Sequence, residues 1–295
     1  MTWFILAFAS AVFSALSTLA EKKSLFSMDA LDFSYIISVV TLVFSIPFFI
    51  MAPVQQGITT SLIILFVKTA LNAAAFLFVM LSIKNLELSE ALPLLAISPA
   101  LVAILAFFFI GDVLNIYEWA GIFLIVAGTY ILELKMASSG IFGPFKILFK
   151  TSKYGYVLGA VALFTITSLA DRILLKGYKL PPYTFMAYQQ LFYGIIFLVI
   201  VLYKRKSAVA SFISVNKETW LFILVVAVLT VAYRYTQIAA VKLAPVGLVL
   251  AVKRLSILIA IIIGGKLFHE QHLKRRILAA VIILAGISLL VSAGE

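Results

Sequence analysis

The amino-acid sequence predicts an all-α integral membrane protein of ten transmembrane helices, arranged as two inverted five-helix repeats. Three observations support this fold class. The chain is too apolar for a soluble domain, ten of its apolar segments are long enough to cross a bilayer, and its second half repeats the first. Of the 295 residues, 64% are hydrophobic and 12% are charged, whereas soluble domains carry about 25% charged residues.

Composition also narrows the function classes. The chain has no cysteine, which excludes disulfides, thiolate metal sites and cysteine nucleophiles. Its net charge of +11 is concentrated in loops beside apolar segments, where basic residues contact anionic lipid headgroups. We therefore expect a lipid bilayer and no nucleic acid as the partner. No basic region precedes the first apolar run, so we expect that run to stay in the mature protein.

Hydropathy windows of about 19 residues define the spans. At ~1.5 Å per residue, each can cross a hydrocarbon core of ~30 Å. The predicted spans are residues 2–21, 31–52, 60–83, 88–111, 117–135, 154–176, 182–203, 218–240, 244–267 and 274–292. The longest turn-rich interruption leaves five spans on either side, which predicts a first repeat at 1–136, a connecting loop at 137–153 and a second repeat at 154–295.

The two halves match in sequence. Ser17-Thr-Leu-Ala-Glu-Lys22 aligns with Thr167-Ser-Leu-Ala-Asp-Arg172 at an offset of 150. Later positions align at an offset of 158: Lys84 with Lys242, Ser98 with Ser256, Asp112 with Glu270, and Ala127-Gly128 with Ala285-Gly286. Because each unit has an odd number of spans, the copies enter the membrane in opposite orientations. We expect a substrate site near the midplane between them.

The order of these features resembles a known family. Each repeat has a short acidic turn (Gly111-Asp112 and His269-Glu270) before an Ala-Gly-containing last helix, a pattern similar to the EamA type of the drug/metabolite transporter superfamily. Ala251-Val-Lys-Arg-Leu-Ser256 is also similar to the Lys-Arg element of the triose-phosphate and nucleotide-sugar branch. This resemblance implies a transporter in which Lys253 and Arg254 are candidate ligands for an anion.

Lys253 and Arg254 lie within an otherwise uncharged stretch, residues 247–263. One Lys or Arg at the centre of a membrane helix opposes insertion by roughly 2.5–3.5 kcal/mol, so the pair needs a compensating group. That group is either a bound anion or a set of acids (Asp171, Glu21 or Glu90) that pair with the cations and only hold helices together. We predict the bound anion.

Other polar residues in the spans complete the predicted site. Arg234 is flanked by Tyr233, Tyr235 and Gln237, a cluster that its repeat partner, residues 74–78, lacks. These groups can bind a phosphate or carboxylate, or form an interfacial belt. Lys68 and Asn72 are four residues apart, on one helix face, and are predicted to line the same cavity.

A second group is predicted to gate or couple transport. Glu21 and Asp171-Arg172 occupy matching positions near the ends of the first and sixth spans. We expect gate salt bridges or a protonatable carboxylate there, with membrane-edge charges as the alternative. Glu90 begins the fourth span, in which Pro93 and Pro99 permit bending, although packing alone tolerates proline in membrane helices. His269 and His272 do not form a recognised metal motif, and no cofactor or metal is predicted.

The predicted function is secondary active transport, by alternating access, of a small anionic and phosphorylated metabolite, with exchange as the expected mode. We expect a monomer or homodimer in the plasma (inner) membrane. The alternatives are a flippase for a polyprenyl-phosphate-linked sugar, an exporter of amino acids or drugs with internally paired cations, and a membrane enzyme.

The orientation of the chain in the membrane stays open at this stage. Lys204, Arg205, Lys274, Arg275 and Arg276 lie in loops on one side, and the positive-inside rule then places the termini on the non-cytoplasmic side. In the family that this chain resembles, the ten-helix members have both termini in the cytoplasm.

Overall fold

The structure, a computed structural model, describes residues 2–52, 59–95, 115–133, 152–172, 174, 178–205, 212, 215–241, 243, 252–253 and 255–293. These residues contain helices and no strand. The helices are α1 (Thr2–Leu25), α2 (Ala30–Phe44), α3 (Ile46–Met51), α4 (Thr59–Asn85), α5 (Leu88–Leu95), α6 (Ile116–Glu133), α7 (Ser152–Arg172), α8 (Pro182–Arg205), α9 (Lys217–Val241), α10 (Leu255–Leu267) and α11 (Leu273–Ala293).

The all-helical membrane fold is confirmed. Four of the described helical stretches are long and apolar enough to cross a membrane: Thr2–Leu25, Thr59–Asn85, Tyr183–Lys204 and Lys217–Gln237. Shorter apolar stretches are Ala30–Phe44, Trp119–Gly128, Tyr154–Thr167 and Leu255–Leu267. The number of ten spans stays a prediction, as do the repeat boundaries.

The second predicted span is not one continuous helix. It divides into α2 and α3 at Ser45, whose N–H donates to the Leu42 carbonyl at 3.0 Å. Pro47 lies in the first turn of α3. Proline has no N–H, and its ring clashes with the carbonyl four residues earlier, so the helix is interrupted just before this residue.

Helix packing joins the two halves of the chain. The most extensive contacts are those of α6 with α11, α1 with α9, and α4 with α7. The sequence repeat matches α1 to α7, α4 to α9 and α6 to α11, so exchanging the halves maps this set of contacts onto itself. The described helices therefore pack with an internal twofold pattern.

Two glycines permit the contact between α6 and α11. A Cβ on Gly286 would lie 2.6 Å from the Gly121 carbonyl oxygen, and one on Gly128 would lie 2.6 Å from Ile283 Cγ1. Ordinary carbon contacts are about 3.5–4.0 Å long, so these helices are closer than side chains would allow. The two glycines are repeat mates, at the offset of 158.

Helices alternate in direction, which defines two ends of the bundle. We call the B side the end at which α1, α4, α6, α8 and α10 finish and α2, α5, α7, α9 and α11 begin. The A side is the opposite end, where α1 and α4 begin. The main apolar core combines buried residues of both halves, including Phe33, Ile36, Phe197, Ile223 and Ile261.

Candidate functional site

A cavity lies between α1, α2, α4, α8 and α9. Helices α1, α2 and α4 of the first half and helices α8 and α9 of the second half contribute to its wall. The lining residues are Glu21, Ile37, Ser38, Thr41, Phe76, Gln190, Tyr193, Phe197, Val226, Thr230, Tyr233 and Arg234. Both an acid and a base therefore face the same space.

Aromatic rings form much of the cavity wall. Phe76 lies 6.3 Å from Tyr193 and 6.2 Å from Phe197, measured between ring centroids. Tyr193 and Phe197 stack with an interplanar angle of 9° because they are one turn apart on α8. Such faces can stack on a planar or apolar part of a ligand and can also attract a cation.

Two cations lie close to the ring of Tyr233, which lines the cavity. The guanidinium carbon of Arg234 lies 5.7 Å from the ring centroid, and Lys253 Nζ lies 4.9 Å from it. Lys253 also donates a hydrogen bond to Gln237 Oε1, one turn after Tyr233 on α9. Four of the predicted substrate-binding residues are therefore brought together, although Lys253 does not itself line the cavity.

The other predicted binding residues are placed differently. Tyr235 is 51% exposed and does not line this cavity. Lys68 and Asn72 are buried at 3% and 9% exposure, on α4, and are also absent from the lining. Lys68 Nζ lies 4.8 Å from the ring centroid of Phe185, and Asn72 Oδ1 has no hydrogen-bond partner among the described residues. Arg254 lies outside the described residues.

Glu21 and Lys22 are adjacent but have separate roles. Glu21 lines the cavity and accepts a hydrogen bond of 3.1 Å from Ser17 Oγ, one turn earlier on α1. Lys22 points elsewhere and donates to the carbonyls of Ile83 and, at 2.6 Å, Leu86. The last carbonyls of a helix lack partners within it and attract cations, so Lys22 caps the end of α4.

The B side carries a network of charged groups between the two halves. Arg276, at the start of α11, donates to Glu87 Oε2 and, at 2.8 Å, to Ser89 Oγ. Its second terminal nitrogen lies 3.8 Å from Glu90 Oε2. Glu90 also accepts a hydrogen bond from the Tyr154 hydroxyl on α7. The Arg276 side chain is 11% exposed, so it is not the free loop cation that the orientation argument assumed.

Glu270 adds a contact at the same end. Its two carboxylate oxygens accept hydrogen bonds from the backbone N–H groups of Leu88, at 2.7 Å, and Ser89, at 3.0 Å. These N–H groups begin α5 and have no partner within the helix. A carboxylate is favoured there by hydrogen bonding and by the helix dipole. We call Glu87, Ser89, Glu90, Tyr154, Glu270 and Arg276 the latch.

The four remaining residues with a predicted gating role can be located only in part. Asp171 and Arg172 lie at the end of α7, but their side chains are outside what the structure describes. Pro93 lies inside α5, whereas Pro99 falls beyond the described part of that span. Among the acids named as possible partners of Lys253, Glu90 contacts Arg276 and Tyr154 in the latch.

Sequence reasoning did not identify the latch or the aromatic wall. Glu270 was recognised only as part of an acidic turn, because a backbone N–H partner leaves no mark in the sequence. Phe76, Tyr193 and Phe197 resemble any other lipid-facing or core aromatic residue in an apolar helix. Phe76 could have been found as the repeat mate of Arg234, since both line the cavity.

Comparisons with known proteins agree with this architecture. The family model described as the EamA-like transporter family matches residues 1–134 and 151–292. No curated protein matches the chain. Among solved structures, one titled "Crystal structure of protein" is 13% identical, with a TM-score of 0.63, and the match covers 99% of each chain. At that identity, the likeness concerns the fold alone.

Proposed function

This chain belongs to the EamA-like transporter family and is a multi-pass membrane transporter of the drug/metabolite kind; we propose that its substrate is a small anionic, phosphorylated metabolite bound in the central cavity. The observation that carries the proposal is the pair of cations, Arg234 and Lys253, which lie 5.7 Å and 4.9 Å from the centroid of the Tyr233 ring. The family is one of transporters rather than enzymes. We place the protein in the plasma (inner) membrane, as a monomer or homodimer.

The cations suit an anion that carries several oxygens. A guanidinium offers a planar fork that can bind two oxygens of a phosphate or carboxylate, whereas an ammonium is a compact point charge. Arg234 lines the cavity, so it would contact the anionic group directly. Lys253 does not line the cavity, but it would add positive potential beside Tyr233. The aromatic wall of Phe76, Tyr193 and Phe197 would then hold the organic part of the substrate.

Glu21 would couple the binding of substrate in the cavity to the binding of a proton. An ionised carboxylate repels an anionic substrate in the same space, whereas a protonated one does not. Binding of the anion and of a proton would therefore favour each other, and this coupling is reciprocal. An anion bound beside Arg234 would be attracted by its charge, which favours movement of the loaded protein and hence exchange.

Alternating access would use the latch as its B-side gate. Arg276 and Glu270 come from the second half and contact Glu87, Ser89 and Glu90 of the first half. Opening the B side would have to separate these groups. Rocking of one half against the other is the usual motion of inverted-repeat transporters, and Pro93 would allow α5 to bend during it.

A zwitterionic substrate, such as an amino acid, is the second candidate. Glu21 and Arg234 line one cavity, so they could bind an ammonium and a carboxylate at opposite ends of a ligand. The aromatic wall would favour a cation or a ring next to Glu21. The flippase alternative would need the same cations for its lipid phosphate.

Substitutions of Arg234 and Glu21 separate these candidates. Purified protein is screened by thermal shift against phosphorylated sugars, amino acids and polyprenyl phosphates, and the dissociation constants of the hits are measured. Arg234→Gln should weaken binding of either class by about 2–5 kcal/mol, that is, about 30-fold or more. Lys253→Gln should weaken the binding of an anion. Tyr235→Phe, at an exposed position of the same helix, is the matched control.

Glu21→Gln gives opposite results for the two candidates. It should strengthen or preserve the binding of an anion, since a like charge is removed, and remove its pH dependence. It should weaken the binding of a zwitterion, because the contact between Glu21 and the ammonium group is lost. Unchanged affinity for every ligand in both Arg234→Gln and Lys253→Gln would overturn the anion proposal.

A further inference from the structure

The cavity uses the two halves of the chain unequally. Phe76 and its repeat mate Arg234 both line it, so the cavity extends across the interface between the two halves. Val226 and Thr230, which precede Arg234 on α9, also line the cavity. Their repeat mates on α4 are Lys68 and Asn72, which lie outside the lining. The second half therefore places two positions in the cavity lining, whereas the equivalent positions of the first half lie outside it. We call these two positions, Lys68 and Asn72, the reserve positions.

The reserve positions contain polar groups that are buried in this conformation. Lys68 is 3% exposed and lies against the ring of Phe185 on α8. Asn72 is 9% exposed, and its Oδ1 has no hydrogen-bond partner within the described residues. Leaving a buried acceptor without a partner is unfavourable. An amide held this way in an apolar span indicates a polar partner that is met at another stage of the working cycle.

Internal symmetry specifies that stage. The contacts of α1 with α9 and of α4 with α7 are equivalent under exchange of the halves. A state closed on the A side therefore follows from this one if each half adopts the conformation of the other. In that state, α4 takes the place of α9 beside the substrate. Lys68 then occupies the position of Val226, and Asn72 that of Thr230.

We propose that Lys68 and Asn72 form a second substrate surface, used only when the latch is open. The proposal rests on the anion-transport function above and adds a difference between the two states. Phe76 and Arg234 face the substrate in both states. A valine and a threonine accompany them when the B side is closed, and a lysine and an asparagine when it is open. In the opened state, an anionic group such as a phosphate would therefore meet Lys68 at the position that Val226 holds in this structure.

Cysteine labelling at the mate positions tests this directly, because the chain contains no cysteine. Asn72→Cys and Thr230→Cys are made separately, each with the latch intact and with Arg276→Gln. A water-soluble maleimide reports access to water. With the latch intact, the Thr230→Cys protein should react and the Asn72→Cys protein should be protected. In the Arg276→Gln background, labelling at position 72 should accelerate by about tenfold or more, and labelling at position 230 should slow.

A matched control is the adjacent, fully buried Ala73. Ala73→Cys should stay protected in both backgrounds, since local unfolding would expose both neighbours alike. Equal acceleration at positions 72 and 73, or protection of position 72 in both backgrounds, would overturn the proposal. Inorganic phosphate and the best-binding sugar phosphate are added as ligands. They should slow labelling at position 230 with the latch intact, and at position 72 in Arg276→Gln.

Binding measurements separate failure of this inference from failure of the proposed function. Lys68→Gln should leave the dissociation constant of the sugar phosphate unchanged with the latch intact, and should raise it by about tenfold in Arg276→Gln. If Arg234→Gln weakens binding but Lys68→Gln has no effect in either background, anion transport stands and the second surface is wrong. If access exchanges between positions 72 and 230 but no anion protects either, the exchange stands and the anion proposal fails.

Discussion

Gly286 provides the sharpest test of how the two halves are joined. An alanine Cβ at this position would lie 2.6 Å from the Gly121 carbonyl oxygen and 2.9 Å from both Ile125 Cγ1 and Leu124 Cβ. Because one of these neighbours is backbone, a rotamer change cannot relieve the contact. Helix α11 would have to move away from α6 by close to 1 Å, and such a gap loses a quarter to a half of each dispersion contact.

The expected cost follows from a comparison with a second glycine. Gly155, on α7, has no atom within 4 Å of an added Cβ, so Gly155→Ala should be neutral or stabilising. Both substitutions gain the same preference of alanine for helix, about 1 kcal/mol. The difference between the two variants therefore isolates the steric term, which we expect to be about 1–3 kcal/mol less favourable for Gly286→Ala.

Unfolding in a single detergent, followed by tryptophan fluorescence, measures this difference. Gly128→Ala should lie between the two variants, because its closest neighbour is Ile283 Cγ1, a side-chain atom that can move. Affinity for the transported ligand should not change in variants that fold, since neither helix lines the cavity. The argument for a close α6–α11 contact is wrong if Gly286→Ala is as stable as Gly155→Ala.

Two further predictions concern cations that the described residues hold in place. Lys22→Met removes the hydrogen bonds to the carbonyls of Ile83 and Leu86, and each such bond to a charged group contributes about 1.5–3 kcal/mol. The free energy of unfolding should fall by an amount of that order, and Lys22→Arg should recover part of the loss. A Lys22→Met variant as stable as the parent would mean that the cap does not stabilise the fold. Tyr233→Leu removes the ring that both Arg234 and Lys253 approach, and should weaken anion binding by about 1–2 kcal/mol in calorimetry. Tyr233→Phe keeps the ring and should bind like the parent; equal losses in both variants would assign the effect to the hydroxyl instead.

Much of the fold could be predicted because its signals are local or repeated. Apolar windows indicate helices regardless of their partners, and matching residues such as Gly128 and Gly286 indicate the internal repeat. The grouping of Tyr233, Gln237 and Lys253 was predicted for a similar reason. They are polar groups on neighbouring spans in an apolar chain, and each costs free energy unless it meets another polar group.

The direction in which each side chain points could not be predicted. Glu21 and Lys22 are adjacent, and neighbouring helical residues point about 100° apart, so one of them faces the cavity while the other caps α4. The sequence does not state which. Likewise, Glu270 lies in the turn before α11 and Arg276 lies in the first turn of that helix. Their partners, the start of α5 and the side chain of Glu87, are far away in the chain.

Unequal chemistry on a symmetric scaffold also indicates which state is favoured when no substrate is bound. The repeat mates of Glu87, Glu90 and Arg276 are Pro245, Leu248 and Glu118, which cannot form the ion pairs of the latch. Closure of the B side is therefore supported by contacts that closure of the A side cannot reproduce. A substrate must offset this difference by binding the opened state more tightly, since equal affinity for both states shifts nothing. Lys68, in the position that Val226 holds now, would supply a cation for the anion in the state that the latch opposes.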